Sequence, residues 1–301
     1  MSPPQPNPPL DPIESAKRSA AIRAVADHFP PSARYIGIGS GSTIVHVVDA
    51  IRALPASYNT ASTIFVPTGY QSRQTLYNAG LRDIKFDSLP RDTLIDVAFD
   101  GADEVDEELN CIKGGGACLY QEKLVATHAR KFVCVADHRK LQARLGSKWP
   151  SVPVEVEPLA ANTVVEQLRA LGSKGAKLRE GQMAKAGPIK TDQDNFIVDA
   201  PFGRLLLKGD VGRKEKLEDG EEKGTGEREW EVEALAKEIK LIEGVLSVGL
   251  FCGLNGEEVL AQGGTMGGQK PVAAYFGMAN GDVVVREKGK GERLVEKSKE
   301  D

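Results

Sequence analysis

Four short apolar segments in the first half of the chain predict strands that are buried on both faces. They are residues 35–38, 63–66, 94–99 and 132–136. Each is rich in Val, Ile or Phe and none alternates cleanly with polar positions, which is typical of parallel strands. Helical patterns lie between them, the clearest being that of Ile44, Val47, Val48, Ile51 and Leu54. This alternation predicts an α/β fold: an open, mostly parallel, Rossmann-like sheet with helices on both faces.

The N-terminal segment is expected to lie outside the folded body. Six of the first twelve residues are proline, which lacks a backbone N–H and cannot continue a helix or a strand ladder. We expect residues 1–11 to form a disordered, extended arm. The fold should begin where Asp11 can cap a helix that has Pro12 at its first position and continues to about Phe29.

The second half of the chain has a less regular order of strand and helix patterns. Residues 151–251 predict a smaller α+β domain, which leaves residues 12–150 and 252–285 to form the larger α/β domain. Residues 208–229 hold 14 charged residues and five glycines, a composition that predicts a solvated, flexible insertion. The charged segment 286–301 is expected to be a tail that frays after the last strand.

Length and charge exclude several classes of protein. The chain has 301 residues, of which 41% are hydrophobic and 27% charged, as in ordinary globular proteins. Its 39 basic and 43 acidic residues nearly balance, so bulk charge does not indicate nucleic acid or a membrane surface as a partner. No run approaches the roughly 18 apolar residues of a spanning helix, and no secretory signal is recognisable. We therefore expect a soluble, cytoplasmic protein.

Cysteine and histidine spacing argues against a metal centre or a redox dithiol. Cys111, Cys118, Cys134 and Cys252 show no CxxC pattern and no accompanying pair of histidines. We expect four reduced thiols that serve mainly in packing, and no metal site.

A glycine-rich turn follows the first predicted strand and opens a helix. Ser40, Gly41, Ser42 and Thr43 combine backbone N–H groups at a helix start with three hydroxyls, which suits a phosphate. A nucleotide-hydrolase loop would need a lysine after Gly41, and it is absent.

A dinucleotide fingerprint also fits this turn poorly. It would need a third glycine where Ser42 or Ile44 stands and an acidic residue at the end of the second strand, where Pro67 and Thr68 are found. The turn therefore predicts a cradle for a small phosphate ester, with a purely structural turn as the alternative.

Titratable residues concentrate after the third predicted strand. Asp100 and Asp103 follow it, Lys113 precedes a run of three glycines, and Glu122 lies on the next helix. The helical neighbours of Glu122 are mostly apolar, so its carboxylate suits a general base. Lys113 can supply positive charge where an oxyanion develops, and Gly114, Gly115 and Gly116 allow substrate to approach the backbone closely. After the fourth strand, Arg139 and Lys140 could meet an anionic ligand at the same sheet edge or remain solvated.

The motifs together resemble the type A ribose-5-phosphate isomerases. GIGSGST at 37–43 looks like the phosphate-loop region of that family, VPTGYQS at 66–72 like its second-strand motif, and DGADEVDEELNCIKGGGACLYQEKLVA at 100–126 like its active-site signature. FVCVADHRK, VPVEV, TDQDNFIVD and EGVLSVGLF follow in the family's order. The resemblance covers residues from about 15 to about 262.

The resemblance implies reversible interconversion of D-ribose 5-phosphate and D-ribulose 5-phosphate in the pentose phosphate pathway, with no metal or organic cofactor. It implies a cis-enediolate intermediate, with Glu122 moving the proton between C2 and C1 and Lys113 stabilising the enediolate oxygen. Asp100 would assist ring opening and proton transfer among the sugar oxygens, and Asp103 would hydrogen-bond the substrate hydroxyls. A homodimer or homotetramer is expected.

The resemblance also assigns phosphate-binding positions. Ser40, Ser42 and Thr43 fall in the phosphate loop of the family, Lys140 matches a lysine that approaches the phosphate, and Lys17 matches another near the N-terminus. Gly69 stands where the family usually carries serine, which puts a substrate contact from that side chain in doubt.

Two functions of other classes compete with the isomerase. A non-catalytic phosphosugar sensor could use the same cradle but need not keep Glu122 and Lys113 together. A nucleotide-dependent enzyme is disfavoured by the missing lysine after Gly41 and the missing acidic strand end.

Overall fold

The computed structural model describes residues 11–181, 186–212 and 229–296. Its helices are α1 (Pro12–His28), α2 (Ser42–Arg52), α3 (Tyr70–Asn78), α4 (Leu119–Thr127), α5 (Ala161–Ala170), α6 (Val232–Lys240) and α7 (Gly256–Ala261). Its strands are β1 (Tyr35–Ile38), β2 (Ile64–Pro67), β3 (Val97–Asp100), β4 (Glu104–Val105), β5 (Cys111–Ile112), β6 (Phe132–Asp137), β7 (Val152–Val156), β8 (Lys177–Leu178), β9 (Phe196–Ala200), β10 (Val245–Val248), β11 (Leu250–Phe251), β12 (Ala273–Gly277), β13 (Val283–Glu287) and β14 (Gly291–Val295). Within these ranges, no helix combines the length and apolar character needed to cross a membrane.

A seven-stranded sheet forms the centre of the larger domain. Its strand order is β14-β13-β12-β6-β3-β1-β2, with parallel pairing from β12 to β2 and antiparallel pairing of β13 with its two neighbours. Strands β1, β3 and β6 are buried along their whole length, as expected of parallel strands covered on both faces. Helices α1 and α2 contribute to the core on one face and α4 to the cores on the other. The predicted open α/β sheet is confirmed.

Helix α1 begins where its sequence predicts. Asp11 Oδ1 accepts a hydrogen bond from the backbone N of Ile13 at 3.4 Å, and Pro12 occupies the first turn. The buried face of the helix is mostly alanine, so its backbone lies close to the sheet. A Cβ atom at Gly277 on β12 would collide with the backbone of Ala16. This close packing brings the first turns of α1 to the carboxyl edge of the parallel strands.

Residues 151–251, which we call the small domain, contain a four-stranded antiparallel sheet of order β10-β7-β9-β8. Helices α5 and α6 pack on it around an apolar core that includes Val154, Val164, Leu168, Val198 and Leu235. Ile112 and Leu145, from outside this segment, also belong to that core. Strand β11 then pairs with β5, which also pairs with β4 in a three-stranded sheet. The chain therefore leaves the small domain directly beside the glycine-rich turn that follows β5.

The charged C-terminal segment does not fray where the sequence predicts. Strands β13 and β14 form an antiparallel hairpin at the edge of the large sheet. Arg286 is 4% exposed, pairs with Glu292 across the hairpin and donates to the carbonyl of Gln142 at 3.1 Å. The prediction of a tail from residue 286 is therefore wrong up to residue 295, because the buried arginine is paired with a cross-strand acid. Residues 297–301 lie outside the described residues.

The predicted charged insertion is only partly described. Lys208 pairs with Glu233 at 2.6 Å, and Asp210 accepts two hydrogen bonds from Arg144 at 2.6 and 2.9 Å. The predicted start of a flexible segment at residue 208 is therefore too early, because these side chains tie residues 208–210 to the folded body. Residues 213–228, like the proline-rich residues 1–10, lie outside the described residues.

Candidate active site

The turns that follow β1, β3 and β6 meet the glycine-rich turn after β5 at the carboxyl edge of the large sheet. They enclose a cleft of about 220 Å³. Ligands bind at this edge in open α/β sheets. The predicted residues that line the cleft are Lys17, Ser40, Gly41, Ser42, Thr43, Asp103, Lys113, Gly114, Gly115, Gly116, Glu122 and Lys140. Asp100 is the predicted residue that does not line it, and it joins the site through an ion pair with Lys113.

Lys113 lies between two carboxylates at the floor of the cleft. Its Nζ is 3.0 Å from Asp100 Oδ2 and 3.2 Å from Glu122 Oε2, and it donates to the carbonyl of Gly101 at 2.6 Å. The side chains of all three ionisable residues are nearly buried. The structure thus brings together one cation and two acids from three elements: β3, the segment after β5, and α4.

Burial and charge act in opposite directions on this cluster. Burial, with a contribution from the neighbouring Glu122 carboxylate, raises the pKa of Asp100 to about 7. Burial would lower the pKa of Lys113, but the carboxylates of Asp100 and Glu122 outweigh it and raise that pKa above the ordinary lysine value. Lys113 therefore stays cationic at neutral pH, while Asp100 can hold or release a proton there.

Ser40 contacts the proposed base directly. Its Oγ donates to Glu122 Oε1 at 2.7 Å, and its backbone N donates to Asp100 Oδ1 at 3.2 Å. The resemblance placed Ser40 among the phosphate-loop positions, but its hydroxyl is directed to the Glu122 carboxylate. No sequence signal could have paired these residues, because they lie 82 positions apart.

The start of α2 provides the predicted anion-binding end of the cleft. Gly41 adopts φ 94°, a left-handed conformation that favours glycine, and no side chain among the described residues caps the helix. The first backbone N–H groups of α2 and the Ser42 and Thr43 hydroxyls are therefore available to an anion. Lys17 lies beside them, donating to Ser42 Oγ at 2.8 Å while paired with Glu14 at 2.6 Å.

Asp103 is held by the glycine-rich turn. Its Oδ2 accepts a hydrogen bond from the backbone N of Gly115 at 2.7 Å. A Cβ atom at Gly115 would lie 2.6 Å from Asp103 Oδ1, so the residue must be glycine for this approach. Burial raises the pKa of Asp103 although the Gly115 hydrogen bond opposes the shift. The turn therefore orients a cleft carboxylate as well as giving substrate access to the backbone.

The turn after β6 closes the opposite side of the cleft. Lys140 lines the cleft and its Nζ lies 4.8 Å from the centre of the Trp149 ring. Arg139 is bound to Asp137 by two hydrogen bonds of 2.7 and 3.0 Å, and both of these residues also line the cleft. The sequence pattern indicated that Arg139 could meet an anionic ligand, but it did not single out Asp137.

Comparison with known proteins identifies the family. The profile described as "Ribose 5-phosphate isomerase A (phosphoriboisomerase A)" matches residues 64–219. The chain is 44% identical over 278 residues to the ribose-5-phosphate isomerase of Mycosarcoma maydis, covering 92% of this chain and 82% of that protein. Identity to the enzyme of Candida albicans is 42% over 275 residues, covering 91% and 96%.

The chain belongs to the type A ribose-5-phosphate isomerase family. A solved D-ribose-5-phosphate isomerase in complex with phospho-erythronic acid aligns with a TM-score of 0.68 at 29% identity, covering 95% of this chain and 99% of that one. The predicted function, interconversion of ribose 5-phosphate and ribulose 5-phosphate in the pentose phosphate pathway, is confirmed at the level of the family. The alternative of a non-catalytic sensor has no support among these relatives.

Gly69, where type A isomerases usually carry serine, lies outside the cleft. It precedes α3 and lines a neighbouring pocket of about 490 Å³. A Cβ atom there would lie 3.0 Å from Asp192 Oδ2 and 3.2 Å from Cys118 Sγ.

Within the part of the chain that the structure describes, no group of three or more His, Cys, Asp or Glu side chains is placed to hold a metal ion.

The raised pKa of Asp100 in the folded chain should make its contribution to the free energy of unfolding fall as the pH rises from about 4 to about 7. An unfolded aspartate has a pKa of about 3.9, whereas burial raises that of Asp100 to about 7 in the folded chain. Between those values the folded state holds a proton that the unfolded state has lost, so raising the pH favours unfolding. The variant Asp100→Asn lacks this contribution, and its melting temperature minus that of the wild type should increase across the window.

Thermal unfolding of both proteins from pH 4 to 8 measures this difference. Buried acids outside the Lys113 cluster, such as Asp106, contribute equally to both proteins and cancel in the subtraction. Parallel curves for the two proteins would show that Asp100 has an ordinary pKa.

Proposed function

We propose that this isomerase acts through a cis-enediolate, with Glu122 as the proton-transferring base and Lys113 as the stabilising cation. The observation that carries the proposal is the position of the Lys113 ammonium, 3.2 Å from Glu122 Oε2 at the floor of the cleft. A carbanion forms when a base removes the proton next to a carbonyl, and its charge moves to oxygen. An adjacent fixed cation stabilises that oxygen more in the transition state than in the substrate.

Glu122 has the environment that this proton transfer requires. It removes the proton from C2 of the open-chain aldose and returns it to C1 on the same face, which converts the aldehyde to the ketone. The Ser40 hydroxyl donates to Oε1 at 2.7 Å and the Lys113 ammonium lies 3.2 Å from Oε2, so both carboxylate oxygens are held in position. A carboxylate held at both oxygens keeps a constant position relative to the substrate.

Asp100 suits the proton movements among the sugar oxygens. Its pKa of about 7 means that the protonated and ionised forms both occur near neutral pH. It can therefore exchange protons with the sugar oxygens during ring opening by way of the Lys113 ammonium, which lies 3.0 Å from Asp100 Oδ2 and lines the cleft. Asp103, oriented by Gly115 at 2.7 Å, accepts hydrogen bonds from substrate hydroxyls at the side of the cleft.

The phosphate group is proposed to lie at the start of α2. The open helix end, the hydroxyls of Ser42 and Thr43, and the ammonium groups of Lys17 and Lys140 supply donors and positive charge around one end of the cleft. The solved relative bound to phospho-erythronic acid supports a phosphorylated sugar acid as a ligand of this fold. The opposite end, at Glu122, would then receive C1 and C2.

We also propose that the chain forms a homodimer or homotetramer in the cytoplasm. Two tyrosines on α3, Tyr70 and Tyr77, are 67% and 75% exposed, and such side chains are enriched in interfaces. Sedimentation velocity of the purified full chain should give a mass of two or four protomers, and a monomer at micromolar concentration would contradict this expectation.

Replacing the base should remove turnover and preserve binding. The variant Glu122→Gln keeps the size and one hydrogen-bonding oxygen but cannot take a proton, so kcat should fall about 10² to 10⁴-fold. Inorganic phosphate should still compete for the cleft. A coupled assay of ribulose 5-phosphate formation measures both effects, with Glu166→Gln on the exposed face of α5 as the matched control. Wild-type turnover by Glu122→Gln would contradict the assignment.

Removing Lys140 should weaken phosphate recognition more than chemistry. The variant Lys140→Ala should raise KM for ribose 5-phosphate and raise the inhibition constant of inorganic phosphate about tenfold, while kcat changes less. The exposed Lys148 provides the control Lys148→Ala, which has the same change in net charge. Inhibition by phosphate that matches the wild type would show that Lys140 is a solvated side chain.

A further inference from the structure

Arg179 of the small domain reaches the glycine-rich turn of the active site. Its Nε and Nη2 donate to the two carboxylate oxygens of Asp199 on β9 at 2.8 and 2.6 Å. Its Nη1 donates to the carbonyl oxygens of Gly114 at 2.9 Å and Gly115 at 3.1 Å. The two-point contact with Asp199 fixes the plane of the guanidinium, so the remaining N–H groups have a set direction. Arg179 itself does not line the cleft.

The peptide unit between Gly114 and Gly115 is held from both sides. Its carbonyl accepts from Arg179 at 2.9 Å and from the backbone N of Ala117 at 3.1 Å, and its N–H donates to Asp103 Oδ2 at 2.7 Å. A trans peptide unit points its C=O and N–H in opposite directions, and the chain has no cis peptide bond among its described residues. The guanidinium and the Ala117 N–H on one side therefore set together the direction of the Gly115 N–H, which orients Asp103 on the other side.

The next peptide unit is held by the same arginine. The Gly115 carbonyl accepts from Arg179, which turns the N–H of Gly116 to the opposite side. Gly116 lines the cleft, and its N–H has no protein acceptor in the described ranges. This N–H is therefore a donor available to a substrate oxygen.

We propose that Arg179 is a positioning residue for isomerisation. Through it, the small domain sets the direction of two backbone N–H groups at the cleft, one that orients Asp103 and one that meets the substrate. The proposal rests on the proposed function for the assignment of Asp103 and the glycine-rich turn to the substrate site. Arg179 does not contact the reacting atoms and acts only through the turn.

A second arginine offers a matched control. Arg144 makes the same two-point contact with Asp210, at 2.6 and 2.9 Å. The side chains of that pair are 20% and 24% exposed, against 17% and 22% for Arg179 and Asp199. Arg144 also contacts Glu107 but does not contact the glycine-rich turn. Loss of either arginine should therefore affect stability similarly, whereas only one loss should affect the chemistry.

Steady-state kinetics and melting temperatures of the full-length variants test the proposal. Arg179→Ala should lose about 100-fold in kcat/KM, the scale of a misplaced catalytic geometry, while Arg144→Ala keeps wild-type kinetics. Millimolar guanidinium chloride should restore part of the activity of Arg179→Ala, because the free ion can occupy the space between Asp199 and the two carbonyls. Wild-type kinetic constants for Arg179→Ala, or a loss that follows the melting temperature and resists rescue, would overturn the proposal.

A double-mutant comparison tests the route through Asp103. If Arg179 acts through the Gly115 N–H, the fold-loss in kcat/KM of the double variant Arg179→Ala, Asp103→Asn should be smaller than the product of the two single fold-losses. Fully multiplicative losses would overturn the coupling.

Assay of Glu122→Gln in parallel distinguishes a failure of the proposed function from a failure of the role of Arg179. An active Glu122→Gln would contradict the proposed function, whereas an inactive Glu122→Gln beside a fully active Arg179→Ala would contradict only the role of Arg179.

Discussion

The buried ammonium group of Lys113 is the interaction on which the rest of the site depends. A cation removed from water costs several kcal/mol unless it is paired and hydrogen-bonded. Lys113 meets this requirement with Asp100, Glu122 and the carbonyl of Gly101, at 2.6 to 3.2 Å. Each carboxylate is itself nearly buried and needs the lysine in return. Because the three side chains come from three elements, those elements must keep their relative positions for the cluster to be stable, and the same geometry is what proton transfer requires.

Glycine at positions 39 and 115 makes this arrangement sterically possible. A Cβ atom at Gly39 would collide with the Asp100 carboxylate, and one at Gly115 would lie 2.6 Å from Asp103 Oδ1. The glycine-rich motifs therefore let the backbone approach the acids of the site itself, in addition to giving substrate access. Hydrogen bonds from the backbone N–H groups of Ser40 and Gly115 reach these two carboxylates as a result and contribute to fixing their orientation.

Contacts from the small domain hold the helix that carries the proposed base. At the start of α4, the fully buried carboxylate of Glu155 accepts from the backbone N of Tyr120 at 3.1 Å. One residue after Glu122, Lys123 donates at 2.6 and 2.8 Å to the two carbonyls that flank Gly249 in sequence. Hydrogen bonds to the small domain thus hold α4 on both sides of Glu122, at Tyr120 and at Lys123. Arg179 adds hydrogen bonds to the glycine-rich turn. The small domain is therefore part of the construction of the site, although none of its described side chains lines the cleft.

By itself, the sequence determined the alternation of strands and helices, the start of α1 at Pro12, and the spacing of Asp100, Lys113 and Glu122 that marks the family. These features depend on local periodicity, on capping chemistry and on strand ends that share one edge of a parallel sheet. Only the tertiary structure decided that Ser40 binds Glu122, that Arg179 binds a turn 65 positions away, and that β13 and β14 complete the sheet. Such contacts join remote segments, and their partners follow from which strand edges and domains become neighbours. A charged stretch such as the one at Arg286 has the same local composition whether it is solvated or paired across a hairpin.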